Sequence, residues 1–252
     1  MRTDVLPSFD GTKLAVHRMG PEGGGGRPVL LLHGLFSDAN TNWIKFGHAA
    51  KLAAAGFEAI MPDLRAHGQS DKPHDPAAYP DDILARDAAA LVAALGLEDF
   101  DLAGFSLGAR TSARAVINGL RPRKLVLAGM GLEGLAGWNR RSSFFLDAID
   151  RFDEVKRGDP AFMAVSFMKT MKIDPVAARL LLMAGNRVDM DALLSVDTPI
   201  GVICGADDHD NGSAPELAEA LPNARYYEIP GTHMSCITRL ELGQSIVDFL
   251  TA

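Results

Sequence analysis

Short, wholly apolar runs alternate along this chain with longer stretches in which apolar residues recur at helical spacing. Val29-Leu30-Leu31-Leu32 contains no polar side chain and reads as a strand buried on both faces of a parallel sheet. A helical pattern over 44–55 ends at Gly56, a natural C-cap, and the strand over 57–61 stops at Pro62. The rhythm repeats with an Ala-rich helix over 82–95 closed by Gly96, a strand over 101–104, a helix over 107–118 and a strand over 124–128. Ahead of these, Asp10-Gly11 is a turn signal between strand-like segments at 5–9 and 14–19, so the chain is expected to open with a hairpin.

The alternation breaks between 131 and 197. This stretch holds Trp138, Phe144, Phe145, Phe152, Phe162 and Phe167 with Met163, Met168, Met171, Met183 and Met190, and reads as several short helices. The rhythm resumes with a strand over 200–204, a helix near 214–221, a strand over 225–229 and a closing helix over 238–250. Strands alternating with helices predict an α/β fold with a doubly wound, mostly parallel sheet. The boundaries are then a core formed by 1–130 and 198–252, with 131–197 inserted over the sheet as part of one domain.

Composition narrows the function classes without naming one. Hydrophobic residues make up 47% of the chain and charged residues 23%, ordinary for a folded protein. The net charge of −7 argues against a nucleic-acid partner, since phosphate binding needs a basic face. No apolar run approaches the roughly 18 residues of a membrane span. Met-Arg-Thr-Asp-Val at the start lacks the layout of a signal peptide. Cys204 and Cys236 are too few for a disulfide framework and match no zinc spacing, so both are expected as buried thiols. These readings predict a reducing, cytoplasmic setting, in which the sequon Asn211-Gly212-Ser213 is silent. Oligomeric state is left open.

The strongest chemical signal is Gly104-Phe105-Ser106-Leu107-Gly108, placed where a strand ends and a helix begins. A serine on such a sharp turn needs small residues two positions to either side. The turn lifts Oγ above the sheet edge and sets the next N–H at a helix N-terminus, where it can receive an oxyanion. A serine hydroxyl needs a base. His233 follows the turn Pro230-Gly231-Thr232 after the last strand and is the best candidate among seven histidines. His17, His48 and His74 lack strand-end placement and read as surface or structural, as does His67 despite its loop position. The base needs an acid to orient it. Gly205-Ala206-Asp207-Asp208-His209-Asp210 follows a strand end; its loop position favours Asp208, with Asp207 and Asp210 as alternatives and Glu133 as a minor one.

Three patterns carry less. Gly129-Met130-Gly131-Leu132-Glu133-Gly134 matches a dinucleotide fingerprint but comes after the sixth strand and leads into the aromatic insertion, so no nucleotide cofactor is expected. Gly23–Gly26 leads into a strand and has no Lys-Ser/Thr after it, so it is no phosphate loop. The Asp/His cluster lacks calcium-loop spacing, and no metal is expected.

The order Ser106, Asp208, His233 is that of α/β-hydrolases, and the chain resembles that superfamily over nearly its whole length. The resemblance rests on Leu32-His33-Gly34-Leu35, Asp63-Leu64-Arg65-Ala66-His67-Gly68-Gln69-Ser70, the Gly-Phe-Ser-Leu-Gly elbow, Gly205-x-x-Asp208 and Gly231-x-His233. It implies an eight-stranded sheet, a lid at 131–197, and an oxyanion hole formed by the N–H groups of Leu35 and Leu107. Ala66 departs from the glycine usual at its position. Members with an aspartate nucleophile, such as haloalkane dehalogenases and epoxide hydrolases, are disfavoured because the elbow carries Ser106. Charges within the insertion nearly cancel, which points to a neutral, partly apolar small-molecule ester, lactone or thioester. Acyl transfer, perhydrolysis or C–C cleavage by the same triad is the alternative, and a non-catalytic ligand-binding protein of this fold a further one.

Overall fold

A computed structural model describes residues 1–137, 139–185 and 187–252, with only the backbone of 139 and 140. The opening hairpin pairs β1 (Arg2–Pro7) with β2 (Lys13–Met19) in the register Pro7↔Lys13. Its first strand ends two residues earlier than the pattern predicts. The turn begins at Ser8, whose N–H donates to Thr12 O, and Gly11 turns the chain at φ +85°. Phe9, which reads as a strand residue, instead lies under the Arg86 guanidinium, 3.9 Å from its ring centroid.

Six further strands are β3 (Arg27–Leu32), β4 (Phe57–Pro62), β5 (Asp101–Phe105), β6 (Leu125–Ala128), β7 (Ile200–Gly205) and β8 (Ala224–Ile229). They complete an eight-stranded sheet of order β1-β2-β4-β3-β5-β6-β7-β8, in which β2 runs antiparallel to both of its neighbours and all other pairings are parallel. The apolar run of β3 is explained by two separate cores. Leu30 and Leu32 pack with α2 (Ile83–Ala94) and α3 (Leu107–Ile117) on one face. Val29 and Leu31 pack with α1 (His48–Ala54) and α10 (Leu240–Thr251) on the other. A strand covered on both faces has no polar position to offer.

The helix expected over 44–55 is broken. Asn40–Ile44 forms one wide π-type turn, Gly47 takes φ +82°, and α1 starts only at His48. The closing helix likewise starts late, because Arg239 is extended and Cys236–Thr238 forms a separate 3-10 turn. Between β6 and β7 lie α4 (Leu132–Ala136), α5 (Asn139–Asp150), α6 (Phe162–Thr170), α7 (Pro175–Met183) and α8 (Met190–Leu194). Part of this segment builds a third core, in which Ile149, Val155, Val165 and Met168 surround Phe36. Trp138 lies outside the described residues, as does the side chain of Arg140. Helix α9 (Ala214–Ala220) joins β7 to β8. Among the described residues, no helix is long and apolar enough to cross a membrane.

A buried ionic cluster ties the hairpin turn to the loop after β4. Arg65 is fully buried and donates to Asp87, Asp10 and Ala78 O, while Ser8 donates to Asp87. Burial alone would lower the Arg65 pKa, but its bonds to Asp87 and Asp10 outweigh that and raise it. Removing one member of a buried pair strands the other and costs about 3–5 kcal/mol. Arg65→Met should therefore lower Tm by roughly 6–20 °C for a chain of this size, measured by thermal unfolding; an unchanged Tm would contradict the cluster's role.

Burial also sets the acid limit of stability. His33, His48 and His67 are held below the ordinary histidine pKa, each chiefly because burial penalises the charged ring. The unfolded chain therefore binds more protons than the folded one below about pH 6.5, and stability falls as pH is lowered from there, by up to about 1.4 kcal/mol per unit and group. His17 has the opposite sign: its hydrogen bond to Asp63 raises its pKa, so its contribution is complete below about 6.5 and is lost as pH rises through the raised value. Thermal unfolding at pH 5 and pH 7 should give the lower Tm at pH 5.

Candidate active site

The link between β5 and α3 is a single residue, Ser106, at φ +54° and ψ −110°. Such a conformation is costly for a residue with a side chain. It is held by the Ser106 N–H donating to Ala128 O at 2.8 Å and by the Arg110 N–H donating to Ser106 O at 3.1 Å. Both flanking glycines are required by contact. A Cβ on Gly104 would lie 2.1 Å from Gly108 O, and one on Gly108 would lie 2.0 Å from Leu32 O. The close helix–sheet approach that raises the serine thus depends on the two positions singled out in the sequence.

Asp208 and His233 arrive from neighbouring turns. The turn after β7 touches the turn after β8 so closely that a Cβ on Gly205 would meet Gly231 O at 2.1 Å. His233 Nδ1 lies 2.8 Å from Asp208 Oδ2, and His233 Nε2 lies 3.1 Å from Ser106 Oγ. The three side chains are buried and form one continuous hydrogen-bonded line. With Nδ1–H donating to the carboxylate, Nε2 is free to accept the serine proton. The Phe105 ring lies 5.1 Å from the imidazole, centroid to centroid.

Burial pushes the Asp208 carboxyl up, but the His233 hydrogen bond and charge, the Asp210 N–H and the Cys204 thiol together hold it below the ordinary range. Asp207 is exposed and does not reach His233. The Asp210 carboxylate is also exposed and lies 3.7 Å from Arg141. Glu133 accepts from the Ser213 N–H at 2.9 Å. Of the candidate acids, the fold therefore brings Asp208 to the histidine. Asp208, Asp210 and His233 lie close enough to share a cation, but a cation on Nδ1 would displace the proton that joins His233 to Asp208.

Both cysteines are buried and unpaired with each other. Burial pushes the Cys236 thiol up to about 12 and the Cys204 thiol higher still, so both stay protonated. The fingerprint-like glycines have a packing explanation. Gly131 and Gly134 press on Gly212 and Asn211, where a Cβ would lie 2.3 Å from Gly212 O and 2.6 Å from Asn211 O. Asn211, the acceptor residue of the sequon, is buried and donates to Gly129 O.

Leu35 and Leu107 line the same cavity as Ser106 and His233, and that cavity has a volume of about 660 Å³. Among the described residues, neither N–H has an acceptor. The amides on each side of Leu35 are occupied: Gly34 N–H donates to Asn42 Oδ1 at 2.9 Å and Phe36 N–H to His67 Nε2 at 3.0 Å. Sequence reasoning missed both anchors; His67 carried the signal of a strand-end loop, Asn42 none. The outer wall comes from α5 and α6 and their approaches, through Phe144, Phe145, Met163 and Phe167. Among the described aromatic and Met residues of the insertion, most fall on this wall or in the third core, while Met190 packs on the main core and Met183 is exposed.

Known proteins share parts of this chain. A stretch of 97 residues is 36% identical to N-formylmaleamate deformylase from Pseudomonas putida, covering 38% of this chain and 34% of that protein. Another of 101 residues is 35% identical to an epoxide hydrolase from Caballeronia sordidicola, covering 40% and 29%. The chain thus aligns with about a third of each of these relatives. Among solved structures, an esterase from Exiguobacterium antarcticum superimposes over 100% of both chains with a TM-score of 0.77 at 20% identity, a likeness of fold. Residues 27–170 match the family described as alpha/beta hydrolase fold, more than half of the chain, and the protein belongs to that family.

Proposed function

We propose that this protein is a serine hydrolase cleaving a small-to-medium, neutral and partly apolar carboxylic ester, lactone or thioester. The observation that carries the reading is the hydrogen-bonded line from Asp208 through His233 to Ser106, ending in an apolar cavity. Ser106 Oγ attacks the substrate carbonyl as His233 Nε2 takes its proton, and Asp208 holds the ring and stabilises the imidazolium. The Leu35 and Leu107 N–H groups receive the oxygen as it becomes negative, each worth a few kcal/mol of barrier lowering. His233 returns the proton to the leaving group. Water, activated in the same way, then releases the acyl group from Ser106.

Two features support a serine acyl-enzyme over an epoxide-opening reaction. The elbow residue is a hydroxyl and not a carboxylate, and an ester carbonyl is the group that two convergent N–H donors would polarise. The deformylase relative is named for removing an acyl group from nitrogen, which fits the same attack at a carbonyl. Segment 131–197 serves as the lid of this site, its α5 and α6 side chains facing the acyl or alcohol portion.

Ser106→Ala should reduce turnover of p-nitrophenyl esters by about 10³-fold or more, and should abolish labelling by a fluorophosphonate probe. Ester turnover unchanged in that variant would overturn the nucleophile assignment. Asp208→Asn should leave the fold intact, with a similar loss in kcat and little change in KM, because it removes the carboxylate charge and lets an amide NH2 donate to Nδ1, which favours the wrong His233 tautomer. Esters of graded chain length, with alcohols or peroxide as competing acceptors, separate hydrolysis from acyl transfer and perhydrolysis.

A further inference from the structure

The loops after β3 and β4 are joined by two histidines whose bonds run in opposite directions. His33, on the first loop, uses Nε2 to accept the N–H of Leu64 at 2.9 Å, and its Nδ1 lies 2.8 Å from Gly34 O. His67, on the second loop, uses Nε2 to accept the N–H of Phe36 at 3.0 Å, and its Nδ1 lies 2.9 Å from Arg65 O. A carbonyl can only accept, so each ring must carry its proton on Nδ1 and present a bare Nε2. Both rings are buried, meeting edge to face with centroids 5.1 Å apart. Burial pushes His67 down to about 3 and lowers His33 as well, so both remain neutral with their lone pairs available.

The amide that His67 holds belongs to a residue in a strained conformation. Phe36 sits at φ +60°, which favours glycine, and its ring is buried at the junction with the third core. A backbone kept there needs an anchor, and the Phe36 N–H to His67 bond is one. The preceding residue, Leu35, is thereby left between two fastened neighbours; its own N–H has no acceptor among the described residues, and Leu35 lines the cavity that contains Ser106.

We propose that His67 is a positioning residue for catalysis: by accepting the Phe36 N–H, within a reciprocal clamp completed by His33, it aims the Leu35 N–H at the oxyanion. The inference rests on the proposed acyl-enzyme reading, in which Leu35 is one of the two oxyanion donors. A purely architectural histidine would contribute to stability alone. A positioning histidine contributes to kcat, because a donor displaced by about 1 Å can cost of order 10²-fold in rate while ground-state binding in an apolar cavity is hardly altered.

The test compares wild type, His67→Leu, His67→Gln and Ser106→Ala on one p-nitrophenyl ester, with a trifluoromethyl ketone as a probe of oxyanion binding. The expected result for His67→Leu is a kcat lowered by about 10- to 100-fold, KM within about threefold, and ketone inhibition weakened in proportion to kcat. His67→Gln, whose Oε1 can accept the same amide, should recover most of the loss. A folded His67→Leu protein that keeps kcat within about threefold of wild type overturns the proposal. So does a His67→Gln variant as slow as His67→Leu with a comparable Tm. Where His67→Leu does not fold, His67→Gln is decisive together with the wild type, in which ¹⁵N NMR should show scalar coupling between the Phe36 amide nitrogen and His67 Nε2; its absence overturns the clamp. Failure of the underlying reading is distinct: wild type would then neither turn over the ester nor label at Ser106.

Discussion

One close approach governs the reactive edge, the packing of the α3 N-terminus against the ends of β3 and β5. Gly108 passes so near Leu32 O, and Gly104 so near Gly108 O, that any side chain at either position would collide with backbone. Only because helix and sheet meet at that distance does the chain reverse within one residue and force Ser106 to φ +54°. The strain is local, of order 1–3 kcal/mol, and is offset by backbone hydrogen bonds on both sides of the serine. Its consequence is geometric: Oγ and the Leu107 N–H reach one cavity from adjacent residues, with a helix N-terminus behind them.

A second layer of buried polar groups fastens the surrounding loops to this edge. Asp63 accepts the N–H groups of Ala39 and Gln69, and it passes so close to Gly68 that a side chain there would collide with the carboxylate. Burial raises its pKa, but hydrogen bonds and nearby histidines outweigh that and hold it at about 2, so it remains ionised as an acceptor. Arg65 draws in the hairpin turn, and His33 and His67 cross between the loops after β3 and β4. These groups are expensive to bury and specific in geometry. They fix loop backbone where no regular secondary structure could.

The regular framework was legible because its signals are local. A strand covered on both faces must be apolar throughout, and β3, β6 and β7 are buried along most of their length. The elbow was legible for a related reason: two steric exclusions leave two glycines at fixed spacing around a serine. In the sequence Asp208 is separable from Asp207 and Asp210 only by loop position, and the contact between Gly205 and Gly231, which brings Asp208 beside His233, joins residues 26 positions apart. The break at Gly47 was hidden by apolar residues that keep helical spacing on both sides of it. His67 resembled any loop histidine, since its meaning lies in a bond to an amide 31 residues away. Ala66, the departure from the usual glycine, adopts φ +68°, so the turn keeps a glycine-like conformation without the glycine.

In the proposed reading, reaction and selectivity fall to different parts of the chain. Ser106, Asp208 and His233 sit on turns at the carboxyl edge of the sheet, directly after strands paired within the core. The facing wall comes from α5 and α6, helices with a separate small core that meet this edge through Phe36. A change in that wall alters the space offered to a substrate without disturbing the hydrogen-bonded line beneath it. Two guanidinium groups, Arg110 and Arg141, also line the cavity, which at first sight conflicts with the neutral substrate proposed above. Their donors are directed elsewhere: Arg110 donates to Leu135 O and Gly137 O, and Arg141 to Asp210 O beside the Asp210 carboxylate. Both cations thus serve to hold the entry to the helical segment against α3 and the loop after β7. The rest of the cavity lining is largely aromatic and thioether in character, through Phe144, Phe145, Phe167, Met130 and Met163, and in the proposed reading it is that surface, more than the hydrogen-bonded line, that would select among esters.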